Sequence, residues 1–240
     1  MDLKEHYESG LKAWEETCTD IPTHTDPNPA CFSGDTTVTT WEQGVTPMKA
    51  LKICDKILTN KEKQTYENVY SFGHYHQTQK ADFLEIHTED GLRLEVTGDH
   101  LIYVTGKASP VRASSIHAGD QLMPSGTTVT KISSTAKEGL YAPLTPSGTL
   151  LVNGDMIQAS SYAAVMQDSN DEYAYFQDGT KFLSQHDGIH MFLSPYRIWC
   201  RAALWIGGAS VCQSYNEQGL PDYVAFGIRI LQWADQQTLS

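Results

Sequence analysis

The sequence predicts an all-β domain of many short strands at residues 31–165, preceded by a short segment and followed by a small, mainly helical module. Three observations support this division. Residues 19–30 combine three prolines with Thr, Asp and Asn, which is typical of a linker. Short apolar runs separated by Gly, Pro and Ser fill the middle of the chain. Aromatic-rich helical patterns begin only after residue 165, so we expect residues 1–30, 31–165 and 166–240 to form three parts.

The composition limits the classes of function. The chain has 240 residues, of which 40% are hydrophobic, so it can bury a sizeable core. Its net charge of −12 argues against a nucleic-acid partner, which would require a clustered basic surface. We find no apolar run long enough for a transmembrane helix and no Cys-x-x-Cys pair. We therefore expect no nucleic acid, no transmembrane segment, no metal and no cofactor.

The N-terminal part gives little information about the compartment. Residues 3–18 favour a short polar helix, with a few apolar residues on one face. The first residues are charged and lack the apolar stretch of a signal peptide. The sequence leaves the localisation unknown, and a secretory route stays open if the chain is truncated at its N-terminus.

Within the central domain, strands are predicted at residues 36–40, 127–132 and 149–152. The clearest hairpin covers residues 82–104, where apolar and polar residues alternate on both arms. The pair Asp90-Gly91 predicts a two-residue type I′ turn at its tip.

An internal similarity links residues 51–58 to residues 116–123. In both stretches apolar residues flank an Asp, which is followed by a polar residue and two apolar ones. This predicts two related halves within one β domain. After the domain, helices are predicted at residues 196–206, with Pro195 in the first turn, and at residues 221–237.

The candidate chemistry begins at Cys31, where the linker meets the first strand. A cysteine in this position can attack the carbonyl carbon of Ala30 and exchange the Ala30–Cys31 amide for a thioester, with the Cys31 amine as leaving group. The exchange requires the amine to be protonated as it departs. Thr97 and His100, in Thr-Gly-Asp-His after the hairpin, can place a hydroxyl and an imidazole on one side of a turn. We expect Thr97 to orient the scissile amide and His100 to protonate its nitrogen.

These blocks resemble the C-terminal autoprocessing domain of Hedgehog proteins, in the Hint (hedgehog/intein) superfamily. Cys-Phe-Ser-Gly-Asp at residues 31–35 is similar to the opening motif of these domains, and Thr-Gly-Asp-His-Leu at residues 97–101 to a second block. Residues 142–154 and 159–163 resemble the closing segments. The resemblance implies a twisted, pseudo-twofold all-β fold. It also implies self-cleavage in two steps, in which a thioester at Cys31 is attacked by a second nucleophile and the chain's own N-terminal segment is released.

The second nucleophile stays open. In Hedgehog proteins it is a sterol hydroxyl activated by an aspartate, and the position of that aspartate falls here on His74. Histidine can also act as a general base. His76, two residues further on the same strand face, is the alternative assignment. Water, a sterol, or another alcohol or lipid are all open, and the resemblance implies that residues 166–240 select among them.

Several departures from the family pattern support other hypotheses. Ala30 stands where the family has glycine and adds a Cβ beside the attacked carbonyl, which is expected to slow cleavage. Ser161 stands where the closing segment has a cysteine. A catalytically silent binding module is therefore a second hypothesis. An intein-like splicing element is disfavoured, because the sequence has no His-Asn pair for asparagine cyclisation.

The remaining cysteines show no pattern that indicates chemistry. Cys54 aligns with Gly119 in the internal similarity and is expected to be structural. Cys18, Cys200 and Cys212 are expected to be packing residues.

Overall fold

Three four-stranded sheets and one two-stranded sheet make up most of the described chain. The structure is a computed structural model that describes residues 30–164, 173–175, 181–205, 212, 214–216, 219–223 and 225. The strands are β1 (Thr37–Thr40), β2 (Gly44–Pro47), β3 (Lys56–Asn60), β4 (Thr65–Asn68), β5 (Ser71–Thr88), β6 (Arg93–Val96), β7 (His100–Ile102), β8 (Val111–Arg112), β9 (Gln121–Leu122), β10 (Thr127–Leu144), β11 (Thr149–Val152), β12 (Ile157–Ala163), β13 (Tyr173–Tyr175) and β14 (Lys181–Ser184). Two 3-10 helices, Met48–Ala50 and Ala113–Ser115, and two α-helices, α1 (Gln185–Phe192) and α2 (Ser194–Trp205), complete the described elements.

The two longest strands, β5 and β10, form the centre of the fold. Each has 18 residues, and they pair antiparallel from Thr88 beside Val129 to Ser71 opposite Leu144. Their sheet has the order β6-β5-β10-β9, and the other two four-stranded sheets have the orders β2-β1-β3-β4 and β11-β12-β7-β8. Strand β11 also packs against β1 and β3, so these two sheets are in direct contact.

One apolar cluster unites the three four-stranded sheets. Full burial of one large apolar side chain contributes about 1.5–3 kcal/mol to the stability of the fold. Its largest members that are fully buried include Phe32, Met48, Leu51, Ile57, Ile86, Leu94, Ile102 and Leu122. The predicted all-β architecture is confirmed, with α-helices only in the C-terminal part of the described chain.

The predicted similarity between residues 51–58 and 116–123 is present as a repeated backbone conformation. Each stretch begins after one of the two 3-10 helices. Asp55 then accepts a hydrogen bond at Oδ2 from the N–H of Lys52, and Asp120 accepts one from the N–H of His117, both at 2.8 Å. The two halves of the domain therefore use the same Asp-stabilised turn.

The residue before each Asp has a left-handed backbone. Its φ is 76° at Cys54 and 98° at Gly119. Glycine adopts this region at no steric cost, whereas a Cβ costs about 1–2 kcal/mol there. Cys54 is exposed and is not part of a disulfide.

The strands at residues 36–40 and 149–152 are confirmed as β1 and β11, and residues 127–132 form only the first third of β10. The predicted hairpin is formed by β5 and β6, but the prediction of its turn was wrong. Only Gly91 has a positive φ, of 77°, and the N–H of Gly91 donates to the carbonyl of Thr88 at 3.0 Å. The loop therefore has three residues, and in such a loop only the last one must be left-handed.

In the C-terminal part, the helix predicted at residues 196–206 is confirmed as α2, with Pro195 in its first turn. Of the helix predicted at residues 221–237, the first residue, Pro221, instead forms an isolated bridge with Tyr215. Residues 222, 223 and 225 are helical, and the rest lies outside the described residues. The helix predicted at residues 3–18 also lies outside them. Helix α1 was not predicted, because Gly188 and several polar residues interrupt its apolar pattern.

A disulfide between Cys200 and Cys212 corrects the expectation that both are simple packing residues. Both are fully buried, and the bond ties α2 to the segment that follows it. No helix in the described ranges has the length and apolarity needed to cross a bilayer.

The two matched turns predict opposite effects for exchanging their left-handed residues. Gly119→Ala is expected to lower the free energy of unfolding by about 1 kcal/mol, because it introduces a left-handed Cβ. Cys54→Gly is expected to raise it by up to about 1 kcal/mol, since the relief of strain exceeds the entropy cost of glycine. Urea denaturation in a Cys31→Ala background measures both, and equal signs would contradict the matched-turn description.

Candidate active site

Cys31 is fixed by the backbone of its neighbour. Phe32 forms a two-way backbone pair with Tyr141 in β10: the N–H of Phe32 donates at 2.8 Å, and the N–H of Tyr141 donates back at 3.1 Å. Phe32 also bridges to Val96 at the end of β6. Cys31 has no exposed surface and is not part of a disulfide. The residue therefore lies between β6 and β10 with little freedom to move.

Thr97 contacts the backbone of Cys31 on both sides. Its Oγ1 accepts a hydrogen bond from the N–H of Cys31 at 2.8 Å, and its own N–H donates to the carbonyl of Cys31 at 2.9 Å. Thr97 is fully buried. Because the Cys31 nitrogen belongs to the Ala30–Cys31 bond, the hydroxyl of Thr97 holds the amide nitrogen that the sequence singled out.

His100 is fully buried, with its ring 4.1 Å from that of Phe32. Its Nε2 lies 2.8 Å from the carbonyl oxygen of Ser160. A carbonyl oxygen only accepts, so Nε2 carries a hydrogen and donates it. In the neutral ring the buried Nδ1 is then the unprotonated nitrogen.

The environment of His100 favours this neutral form. Burial lowers the pKa of the imidazole from its usual value of 6.5 to about 4. The carbonyl of Ser160 and the backbone of Ala30 oppose the shift by favouring a protonated ring. The influence of Ala30 on the ring means that its backbone lies near the imidazole. The ring is thus placed beside the residue on the acyl side of the Ala30–Cys31 bond.

His74 lies in β5, opposite Ala142 of β10, and is almost completely buried. Directly opposed residues of an antiparallel pair place their side chains on the same face. Ala142 belongs to a small buried cluster with Cys31, Phe83 and Leu140. His74 therefore lies on the face of the long strand pair against which Cys31 packs.

His76, the alternative to His74, is placed differently. It lies on the same strand face, opposite Leu140, and is partly exposed. Its Nδ1 accepts the N–H of Gln79 at 3.0 Å and faces that of Thr78 at 3.4 Å. His76 is thus engaged in a local irregularity of β5, whereas His74 is directed into the protein.

The C-terminal part of the chain reaches His74. The carbonyl of Gly219 accepts the N–H of Tyr75 at 2.8 Å. A Cβ on Gly219 would lie 2.5 Å from the carbonyl oxygen of Tyr75 and 2.9 Å from Cδ2 of His74. No side chain larger than that of glycine fits at this contact, so the backbone of residue 219 lies directly against His74.

The closing segment supplies two further contacts. Ser161, which replaces the cysteine of the family pattern, is buried and shares a 3.2 Å hydrogen bond with the hydroxyl of Thr145. Ser160 holds His100 through its backbone carbonyl and pairs its hydroxyl with Nδ1 of His186 at 2.9 Å. Neither Ser160 nor His186 was singled out from the sequence. A backbone carbonyl leaves no residue-type signal, although the closing motif does mark its position.

A buried carboxylate anchors the opening motif. Glu95 accepts the hydroxyl of Ser33 at 2.6 Å and the ammonium of Lys137 at 2.7 Å. The charge is thereby paired and hydrogen-bonded, as a buried charge must be. Among the described residues, no group of three or more His, Cys, Asp or Glu side chains is arranged to hold a metal ion.

Comparison with known proteins places these features in a family. The model of the Hint module matches residues 26–235. Three relatives are Warthog protein 6 of Caenorhabditis elegans (34% identity over 56% of this chain and 25% of the relative), Protein hedgehog of Drosophila melanogaster (31% over 58% and 32%) and Tiggy-winkle hedgehog protein of Danio rerio (26% over 85% and 48%). The chain thus spans between a quarter and a half of the length of these three relatives.

Among solved structures, the gp41-1 intein is 17% identical, with a TM-score of 0.45 over 55% of this chain and 98% of the intein. The MchDnaB-1 intein is 15% identical, with a TM-score of 0.46 over 54% and 98%. The family assignment rests on the match to the family model, which covers most of the chain, and not on these structures. This chain therefore belongs to the Hint module family, in the branch whose curated relatives are Hedgehog and Warthog proteins.

Proposed function

We propose that this chain cleaves itself at the Ala30–Cys31 bond through a thioester on Cys31. Membership of the Hint family supports autoprocessing as the general activity. The observation that carries the finer proposal is the hydrogen bond from the Cys31 nitrogen to Thr97, with the buried ring of His100 beside Ala30. The substrate is the chain's own N-terminal segment.

In the first step, Sγ of Cys31 attacks the carbonyl carbon of Ala30. The thiol proton passes to Nδ1 of His100, a C–S bond forms, and the C–N bond to Cys31 breaks. The same proton then moves from Nδ1 to the departing Cys31 nitrogen, so the step needs no external acid or base. Thr97 holds that nitrogen in place throughout. The methyl group of Ala30 adds bulk at the attacked carbon and slows this step.

The environment of His100 suits both halves of this proton transfer. The neutral ring, with its hydrogen on Nε2, presents an unprotonated Nδ1 that can accept the thiol proton. Burial destabilises the resulting imidazolium, which makes it a strong acid toward the amine. The backbone of Ala30 favours the protonated ring and so opposes part of this destabilisation.

In the second step, water, a sterol, or another alcohol or lipid attacks the thioester carbonyl. His74 accepts the proton of the nucleophile, the new C–O bond forms, and Cys31 leaves as a thiolate. The burial of His74 on the Cys31 face, and its contact with Gly219, support this role over that of His76. The contact also supports residues 166–240 as the part that selects the nucleophile.

The thioester is tested by intact mass after incubation with dithiothreitol. We expect the wild-type chain to lose residues 1–30 and leave a product that begins at Cys31, because thiols attack thioesters but not amides at neutral pH. Cys31→Ala is expected to abolish this cleavage and remain folded. Cys54→Ala, which removes the exposed cysteine, is the matched control and should cleave like the wild type.

An unchanged mass in a folded wild-type sample would contradict the proposal. It would instead favour the second hypothesis, a catalytically silent binding module. Cleavage that survives in Cys31→Ala would also overturn the mechanism, since another nucleophile would then be responsible.

The role of His100 predicts a specific pH dependence. Its folded pKa of about 4 is depressed, so the stability gained from the neutral buried ring is complete above about pH 6.5, the unfolded pKa, and is lost as the pH falls through 4. An NMR titration of His100 in uncleaved Cys31→Ala should give a midpoint near 4. A midpoint above 6 would show that the ring is not held neutral by burial.

His74 is expected to act only in the second step. His74→Ala should slow release by water, measured in buffer without thiol, by about a hundredfold, the usual contribution of a general base. Release of the N-terminal segment by dithiothreitol should change little in this variant, because a thiol ionises without the help of His74. His76→Ala is the control and should affect neither reaction, whereas the reverse pattern would assign the base to His76.

A further inference from the structure

We propose that His186, in helix α1, is a positioning residue for His100, which it orients through Ser160. The C-terminal part of the chain would then contribute to thioester formation as well as to the choice of nucleophile. This inference rests on the proposed function, because it concerns the proton transfer that forms the thioester.

A continuous chain of hydrogen bonds links the two histidines. Nε2 of His100 donates to the carbonyl of Ser160 at 2.8 Å, and the hydroxyl of Ser160 lies 2.9 Å from Nδ1 of His186. The same hydroxyl accepts the N–H of Tyr162 at 2.9 Å. We assign the hydroxyl hydrogen to this contact, so that His186 accepts it at Nδ1 with its own ring hydrogen on Nε2. All of these groups are buried.

The strand that carries Ser160 is irregular at this point. Strand β12 pairs with β7 at Ala159–Ile102 and again at Ala163–His100, but the register is broken between the two pairs. On this edge the carbonyl of Ser160 meets the imidazole of His100. On the β7 side this peptide group lacks the constraint of a regular ladder, whereas on the β11 side the N–H of Ser161 donates to the carbonyl of Gly148 at 2.8 Å. The side-chain bond from α1 adds a second constraint, at Ser160 itself.

The surroundings of His186 favour a neutral ring. Tyr162 and Tyr103 pack around the ring, with centroid distances of 5.3 and 6.0 Å. Burial lowers the pKa of His186, although Asp187 opposes the shift. The ring is therefore neutral near pH 7 and can receive the hydroxyl of Ser160.

The orientation of Ser160 determines which nitrogen of His100 carries the hydrogen. With the carbonyl in place, the hydrogen is held on Nε2 and Nδ1 stays able to accept the thiol proton. If the Ser160 peptide rotates, the other tautomer becomes accessible, and it presents an N–H where an acceptor is needed. Loss of His186 should therefore impair thioester formation without removing any group that touches the reacting atoms.

The test compares three variants of the full chain. His186→Ala is expected to slow cleavage at saturating dithiothreitol, where thioester formation limits the rate, by between about tenfold and a hundredfold. His186→Asn should recover most of the rate, because its amide oxygen can accept from Ser160. His190→Ala is the control: this residue lies on the same helix but bonds to the hydroxyl of Tyr162, at 2.7 Å.

A second readout follows the tautomer of His100 by ¹⁵N NMR in a Cys31→Ala background, where the chain stays uncleaved. We expect the Nε2–H form in the parent and a mixture in the variant that also carries His186→Ala. An unchanged rate with an unchanged tautomer would overturn the inference while leaving the proposed function intact. If His190→Ala slows cleavage as much as His186→Ala, and His186→Asn does not restore the rate, His186 contributes only to packing and the inference is overturned. If the parent chain with Cys31 never cleaves, the proposed function fails, and the tautomer alone decides whether His186 positions His100.

Discussion

The site depends on the backbone pairing of Phe32 between β6 and β10. That pairing holds Cys31 at a point where its own N–H and carbonyl both bond to Thr97. The proposed chemistry depends on this constraint, because it requires the Ala30–Cys31 bond to lie beside a fixed imidazole. The long strands β5 and β10 make it possible, since one of them supplies the partner of Phe32 and the other carries His74. A buried nucleophile next to a strand pair is rigid, and proximity of this kind contributes strongly to a reaction within one chain.

Histidines in this protein differ in role because their surroundings differ. His100 and His186 are both buried, but Nε2 of His100 donates to a carbonyl, whereas Nδ1 of His186 pairs with a hydroxyl. The ring of His76 accepts a hydrogen bond from a backbone N–H of its own strand, that of Gln79. Residue type alone therefore does not separate a proton carrier from a positioning or local structural group. The hydrogen-bond partner of each ring nitrogen is what separates them.

The elements that could be predicted from the sequence are those that depend on local residue patterns. Strand β11 follows from a short apolar run bounded by glycines, and helix α2 from a helical apolar pattern that starts at Pro195. The repeated turns follow from Asp55 and Asp120. The middle third of β10, residues 133–138, contains only one apolar residue, and β5 pairs with it along this stretch. Its strand conformation therefore depends on a distant partner. The Cys200–Cys212 bond and the contact of Ser160 with His100 depend on tertiary proximity, which spacing along the chain does not encode. The motif blocks marked Cys31, Thr97 and His100, and the structure brings these three together.

The C-terminal part of the chain is attached to the domain at two places that matter for the proposed chemistry. Around β5, the hydroxyl of Tyr196 bonds to that of Ser71 at 2.8 Å, and the carbonyl of Cys212 accepts from the same Ser71 hydroxyl at 3.0 Å. The disulfide at Cys200 and the contact of Gly219 continue this attachment to His74. Around β12, His186 reaches Ser160. One part of the chain thus borders the candidate base of the second step and supports the candidate acid of the first. Both steps of the proposed cleavage would then require the C-terminal part to be docked, so the thioester would form mainly in molecules that are already able to resolve it.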